Sequence, residues 1–270
     1  IKSSSKYIHL SFLTGITKFS KVSIFSDLNN LYDISFDRKY SSICGLTQAE
    51  LEENFEAQLE ELAQDYKVSH QEIVARLKKK YDGYHFNEDL VDIYNPFSLC
   101  NAFRSKKLGD YWFESGTPSF MVKVLENHAV KIEDFEGNIP LDIREMDAYR
   151  MDYGNLPPFL FQAGYLTIKA YNKRLNKYVL GYPNDEVKYA FISCIMKIYT
   201  SAHRNSSLNF KIEKFLSSIE KGDIDGVLTL IKALMASIPY DSLPQDKIAL
   251  REQNYQTAVY LVFALMGQFV

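Results

Sequence analysis

Cysteine, tryptophan and long apolar runs are all scarce in this sequence. The three cysteines, Cys44, Cys100 and Cys194, lie far apart, form no Cys-x-x-Cys pair and are odd in number. A complete set of internal disulfides is excluded, and a reducing, cytoplasmic setting is expected. Each has apolar neighbours and reads as a buried, inert thiol. The five histidines never stand at His-x-x-x-His or Cys/His ligand spacing, so no metal site is read. The longest apolar run, Ala258 to Gly267, has about half the length that spans a bilayer, and Ile1 to Ser5 is not a signal peptide. No membrane segment is expected. No glycine is followed by lysine, so the loop whose backbone amides cradle phosphates while a lysine reaches them is missing. There is no apolar strand ending in Asp-Glu to hold magnesium, and no Gly-x-Ser-x-Gly to expose a nucleophilic serine.

What is present is a globular composition. The 270 residues are 46% hydrophobic and 24% charged, with 31 Lys and Arg against 34 Asp and Glu, a net charge of −3. No global basic field draws the chain to nucleic acid or anionic lipid, so such a contact needs a local patch. Phe (18) and Tyr (19) dominate the aromatics, and the tyrosines imply rings with one end packed and the other wet.

Tyr7 to Ile16 is apolar and rich in β-branched and aromatic residues, and it reads as a buried strand stopped by Gly15. It has no nearby strand partner, so its sheet is expected to be completed upstream of Ile1. From Thr47 the pattern turns helical. Thr47-Gln-Ala-Glu50 is a capping box, followed by Leu51, Phe55, Leu59 and Leu62, and seven carboxylates without one Lys or Arg lie between Glu50 and Asp65. That helix presents a solvated acidic face or docks a basic partner. Ser69-His-Gln-Glu72 is a second capping box, and Lys78, Lys79 and Lys80 load the end of its helix, where they complement the dipole. Tyr81 to Phe86 turns the chain. Asn95-Pro96 and Thr117-Pro118 pair a cap with proline at the first helical position, predicting helices over 96–103 and 118–127.

Pro157 to Ala163 reads as a short helix ended by Gly164, and Leu166 to Tyr171 and Lys177 to Tyr182 as a hairpin around Asn172 to Asn176. Asn184 or Asp185 caps a helix in which Val187, Phe191, Ile195 and Ile198 share a face. Further helices are predicted over 209–221, 224–237 and 247–267. Helix, hairpin, helix is the winged-helix order. Its hairpin would carry Lys169, Lys173, Arg174 and Lys177 toward nucleic acid, each able to neutralise a phosphate. The nuclease-like spacing [Asp/Glu]-x-Lys occurs at Asp37/Lys39, Asp65/Lys67 and Glu186/Lys188. Two of the three fall on helix, where positions i and i+2 face different ways.

Five blocks carry a resemblance: Phe12 to Leu31, Lys80-Tyr-Asp-Gly-Tyr-His-Phe86, Ile93-Tyr-Asn-Pro-Phe-Ser98, Ser115-Gly-Thr-Pro-Ser119 and Gln162-Ala-Gly-Tyr-Leu-Thr-Ile168. In order and over nearly the whole chain, they resemble the AAA-ATPase-like family of bacterial proteins. Those proteins join an N-terminal P-loop ATPase-like domain to a nuclease-like domain of the PD-(D/E)XK class. The resemblance implies a central fragment, mostly α with minor β. Residues 1–150 would be the end of the ATPase-like core and its helical lid. A winged-helix-like linker with helices would span 151–245, and 246–270 would hold the first helix of a truncated nuclease-like domain.

It further implies ATP and Mg in the parent protein, with the missing N- and C-terminal domains and DNA as partners. The fragment itself lacks both catalytic motifs. Thr14 would stand at the phosphate-sensing strand end, with Thr17 and Lys18 as weaker candidates beside the nucleotide, and Glu252 where the first helix of the nuclease-like domain contributes a metal-site glutamate. The alternative is a non-catalytic interaction scaffold that uses the acidic helix 47–65.

Overall fold

The computed structural model describes residues 7, 9, 10, 12, 14, 15, 32–114, 135–147, 156–199, 207–236, 256 and 259–267. They are mostly helical with one small antiparallel sheet, as expected. The chain divides into two compact units, Ile1–Tyr111 with Glu133–Asn184 and Trp112–Ile132 with Asp185–Val270.

The first unit is built on helices whose ends are set locally. After a 3-10 turn at Arg38–Tyr40, helix α1 (Gln48–Asn54) starts at the expected Thr47 capping box, with both reciprocal hydrogen bonds made. The single helix expected through Asp65 is interrupted at Phe55, and α2 (Glu56–Tyr66) resumes beyond it. The break turns Phe55 onto Phe103, where the two rings stack at 5.4 Å. Helix α3 (His70–Tyr81) is capped by Ser69 alone, because the Glu72 carboxylate accepts from Arg76 four residues on. Helix α4 (Pro96–Ser105) begins as predicted, with Asn95 Oδ1 accepting from the Phe97 and Ser98 amides. Leu51, Leu59, Leu62, Ile73, Leu77 and Leu99 close the core between these helices. A short helix α5 (Tyr111–Glu114) starts at the last residue of this stretch, and its remaining residues belong to the second unit.

The sheet of this unit has three strands, not the two of the expected hairpin. β1 (Glu136–Asp142), α6 (Ile143–Asp147), α7 (Leu156–Gln162), β2 (Thr167–Asn172) and β3 (Lys177–Gly181) give the strand order β1-β3-β2. Gly137 and Pro140 hide β1 from a propensity reading. Proline is tolerated there because β1 is an edge strand, and Gly137 (φ +104°) lies where the pairing with β3 slips. A Cβ on Gly181 would come within 2.8 Å of the Gly137 backbone, which explains that close approach.

The strand expected over Tyr7 to Ile16 is not found among the described residues of that stretch. Tyr7, Leu10 and Phe12 are exposed, Leu10 by 84%. The three described strands pair only with one another, and an extended segment without a pairing partner leaves its amides and carbonyls to solvent.

In the second unit, α8 (Asp185–Tyr199) buries Val187, Phe191 and Ile195 along one face, as its period predicts. α9 (Ser207–Glu220) and α10 (Ile224–Ala236) follow, and residues 259–266 are helical, burying Leu261, Leu265 and Met266. The helix predicted over 118–127 lies outside the described residues. Cys194 is buried as expected, but Cys44 and Cys100 are exposed, because the turn after Tyr40 and the outer side of α4 leave them there. Among the described residues no helix is long and apolar enough to cross a membrane.

Candidate functional site: a buried polar node

The last turn of α3 sets Lys78, half exposed, beside the buried Asp82 that follows the helix, and the segment 82–95 returns along them. Gly83, at φ +93°, makes the turn that only glycine adopts without strain. A Cβ there would lie 2.5 Å from the Pro183 carbonyl oxygen. Tyr84 and Ile93 then exchange backbone hydrogen bonds at 3.3 Å, and Leu46 and Tyr94 do the same at 3.3 and 2.8 Å. This narrow loop holds His85 against β2, more than eighty residues along the chain.

His85 is engaged on every polar atom. Its amide donates to Thr167 Oγ1 (2.7 Å), and that hydroxyl donates to the His85 carbonyl (3.0 Å). Ring Nδ1 lies 2.6 Å from the Ile168 carbonyl and Nε2 lies 2.7 Å from Asp92 Oδ1. A carbonyl and a carboxylate both accept. Both contacts are therefore hydrogen bonds only with N–H on both ring nitrogens, or with a proton held on Asp92.

Asp92 Oδ2 also pairs with Lys78 Nζ at 3.2 Å. Burial works to raise the Asp92 carboxyl, but the hydrogen bond from His85 and the Lys78 ammonium outweigh it and hold it below the usual carboxylate range. The same Asp92 contact, against the cost of desolvation, raises Lys78 above the usual lysine range.

Asp82 behaves in the opposite way. Its side chain is 2% exposed and neither carboxylate oxygen has a hydrogen-bond partner; Lys78 Nζ stands 3.7 Å away. Burial pushes its carboxyl above the usual range and nearby Asp92 adds to the rise. The Gly83 amide and the Lys78 charge offset this only in part, the amide lying outside hydrogen-bond geometry. The Asp82 backbone carbonyl, in contrast, is used: it accepts from Asn184 Nδ2 at 3.0 Å.

Lys169 completes the node. The register of β2 on β3 slips between Ile168 and Ala170, and Lys169 stands in that bulge, half-buried, with Nζ donating to the Pro183 carbonyl at 3.0 Å. Burial lowers its ammonium from the usual lysine range, against the pull of Asp92 and Asp82. Its place among the expected nucleic-acid contacts is thus taken by an internal bond. Lys173 and Arg174 in the turn and Lys177 on β3 are exposed.

Of the other residues singled out by sequence, Thr14 is exposed, and Thr17, Lys18 and Glu252 lie outside the described residues. Glu186 of the Glu186/Lys188 pair sits on α8, buried, where it accepts from the Trp112 amide at 2.9 Å. Among the described residues no three His, Cys, Asp or Glu side chains are grouped to hold a metal ion. In sequence, Tyr81 to Phe86 reads as a turn and as part of a block of resemblance, and nothing there assigns a role to Asp82, His85 or Asp92. The signal available was a glycine between Asp82 and Tyr84, with His85 next after, directly following a capped helix.

The node ties together three segments distant in sequence, and it ends on Pro183 and Asn184, the last residues of the first unit. Apart from the Asp82 carboxylate, which makes no hydrogen bond, its charged groups are engaged with one another and with the backbone, an arrangement that holds chain segments in register.

A protein of Azotobacter chroococcum mcd 1, described as "Uncharacterized protein in vnfD 5'region", is similar to this chain, with 33% identity over 269 residues. The match covers 99% of this chain and 49% of that protein, so the chain spans about half the length of the curated relative it matches. No protein-family model matches the chain, and no solved structure matches it.

Proposed function

We propose that this chain is the connecting part of a longer AAA-ATPase-like bacterial protein, which binds ATP with Mg and couples nucleotide state to a nuclease-like domain acting on DNA. The chain itself hydrolyses no ATP and cuts no DNA. One observation carries the reading: the blocks 80–86, 93–98 and 162–168, on which the resemblance rests, meet at the polar node, where His85 bonds Thr167 and Ile168, Tyr84 pairs with Ile93 and the Asp82 carbonyl holds Asn184, while Lys169, just beyond the last block, holds Pro183. A strand, two short helices and a hairpin in the order β1-β3-β2 support a winged-helix-like linker within it. Such a linker serves by transmitting movement between domains, which requires stiff, position-specific joints.

The test is phosphate release from magnesium-ATP by this chain and by the full-length polypeptide that contains it. The expected result is turnover by the full-length polypeptide only. Robust magnesium-dependent turnover by this chain, or none by the full-length polypeptide, overturns the reading.

The acidic helices favour a second reading, an interaction scaffold. Glu52, Glu53 and Glu60 are exposed on α1 and α2, although Lys106 engages Glu61 and Asp65 nearby at 3.2 and 3.9 Å. A basic partner that binds this chain and is released by Glu53→Gln/Glu60→Gln would support it.

A further inference from the structure

We infer that the end of the three-stranded sheet is a contact surface for the phosphate backbone of duplex DNA, formed by Arg144, Lys173, Arg174 and Lys177. The choice of DNA rests on the function proposed above; the surface itself rests on register and charge. Pairing sets Asp142, Lys177 and Asn172 side by side across the three strands, so α6 and the hairpin turn leave the sheet at the same end. Between Leu156 and Asn184 the chain carries four Lys and Arg and no Asp or Glu. Three of those cations stand at this end, and the fourth, Lys169, is withdrawn to Pro183.

Arg144 joins them from α6. Its side chain is 88% exposed, and its Nε donates to Asp142 Oδ1 at 3.2 Å. With Asp142, Glu145 and Asp147 counted against the four cations, this end keeps a charge of 4 − 3 = +1, on a chain whose net charge is −3.

The turn that presents Lys173 and Arg174 is held rigidly. The Leu175 amide donates to Asn172 Oδ1 (3.1 Å), Tyr171 OH donates to Asn176 Oδ1 (2.8 Å), and the Tyr171 and Tyr178 rings lie 4.8 Å apart. Asn176 takes φ +50°, which closes the turn. Two adjacent cations on a pre-set loop lose little entropy when a polyanion binds them. Leu175, 60% exposed between Arg174 and Lys177, would lie against apolar sugar surface once the cations engage phosphates.

Helix α7 offers no reading head. Leu156, Pro158, Phe159 and Leu160 are buried and the helix carries no cation, so contacts go to phosphate and not to base edges. The binding is therefore sequence-independent and steeply salt-dependent.

Fluorescence anisotropy with a labelled duplex of about two helical turns, at about 50 mM salt, tests this on the whole chain. Lys173→Gln/Arg174→Gln is expected to weaken binding about tenfold and to reduce the slope of log affinity against log salt by about two. Arg144→Gln should reduce that slope by about one. Lys39→Gln, at an exposed site elsewhere in the first unit, should change neither. No anisotropy change with the unaltered chain, or a double variant that binds like it, overturns the proposal. Equal competition by polyglutamate, charge for charge, overturns it in favour of an acidic protein partner. None of these outcomes depends on ATP turnover, so a failed DNA contact and a failed ATPase-like reading are told apart.

Discussion

The helix pair between Thr47 and Tyr66 and the segment between Leu156 and Asn184 are charged in opposite senses and are stabilised in different ways. The first carries seven carboxylates and no cation, the second four cations and no carboxylate. On α1 and α2 the 3.6-residue period keeps the charges outside while Leu51, Leu59 and Leu62 fill the core. In the hairpin a bulge breaks the alternation of β2, and one cation, Lys169, is turned inward to hold a backbone carbonyl. An aliphatic core accepts many sequences of the same volume, whereas a polar node accepts few, since each buried donor and acceptor needs its partner.

The largest effect should come from the apolar side of this contrast. Leu59→Ala is expected to cost about 3 kcal/mol in urea denaturation, because the residue is fully buried, while Glu60→Gln beside it should be close to neutral. If the two cost the same, the helix pair is not held by its core. Next, Gly83→Ala should cost about 2 kcal/mol or more, from a left-handed backbone and a Cβ driven against Pro183. A variant as stable as the parent would show that the loop does not rest on the end of the first unit.

A smaller effect of opposite sign is expected at Asp82. Replacing a buried carboxylate that lacks hydrogen bonds by Asn should gain about 1 kcal/mol near neutral pH, seen as a higher melting temperature. Lys78 keeps Asp92 as a partner. The Asp82 carboxyl is raised when folded, so the folded chain holds a proton that the unfolded chain releases as pH climbs past the ordinary value of 3.8. Stability from this site therefore falls as pH rises through that window, and the advantage of Asp82→Asn should vanish as pH drops toward 3.8. A gap that widens in acid would place the proton elsewhere in the node. Smallest of all is Lys106→Gln, whose pairs with Glu61 and Asp65 are exposed; its effect should be within the scatter of a melting curve and vanish with added salt.

Much of this architecture was legible in local patterns. Thr47, Ser69 and the Asn95-Pro96 pair start helices where they are found, and the hairpin lies between Thr167 and Gly181 as its alternation suggests. The misses share a cause. β1 contains Gly137 and Pro140, and only its place at the edge of β3 makes them acceptable. The break at Phe55 brings its ring onto Phe103, on another helix, a contact that no local pattern shows. Cys44 and Cys100 have apolar neighbours in sequence but face solvent in space. His85 reads in sequence as part of a polar turn, and only its partners on β2 distinguish it.

By itself, then, the sequence determined the helix starts, the hairpin and the separation of acidic from basic segments, because caps, turns and charge runs act over a few residues. Tertiary structure alone decided that Lys169 points inward while Lys173, Arg174 and Lys177 do not, that Asp82 is buried without hydrogen bonds to its carboxylate, and that His85 bridges Asp92 and Ile168. Those facts follow from which distant segments meet, and desolvation and hydrogen bonding depend on neighbours in space that no local pattern encodes.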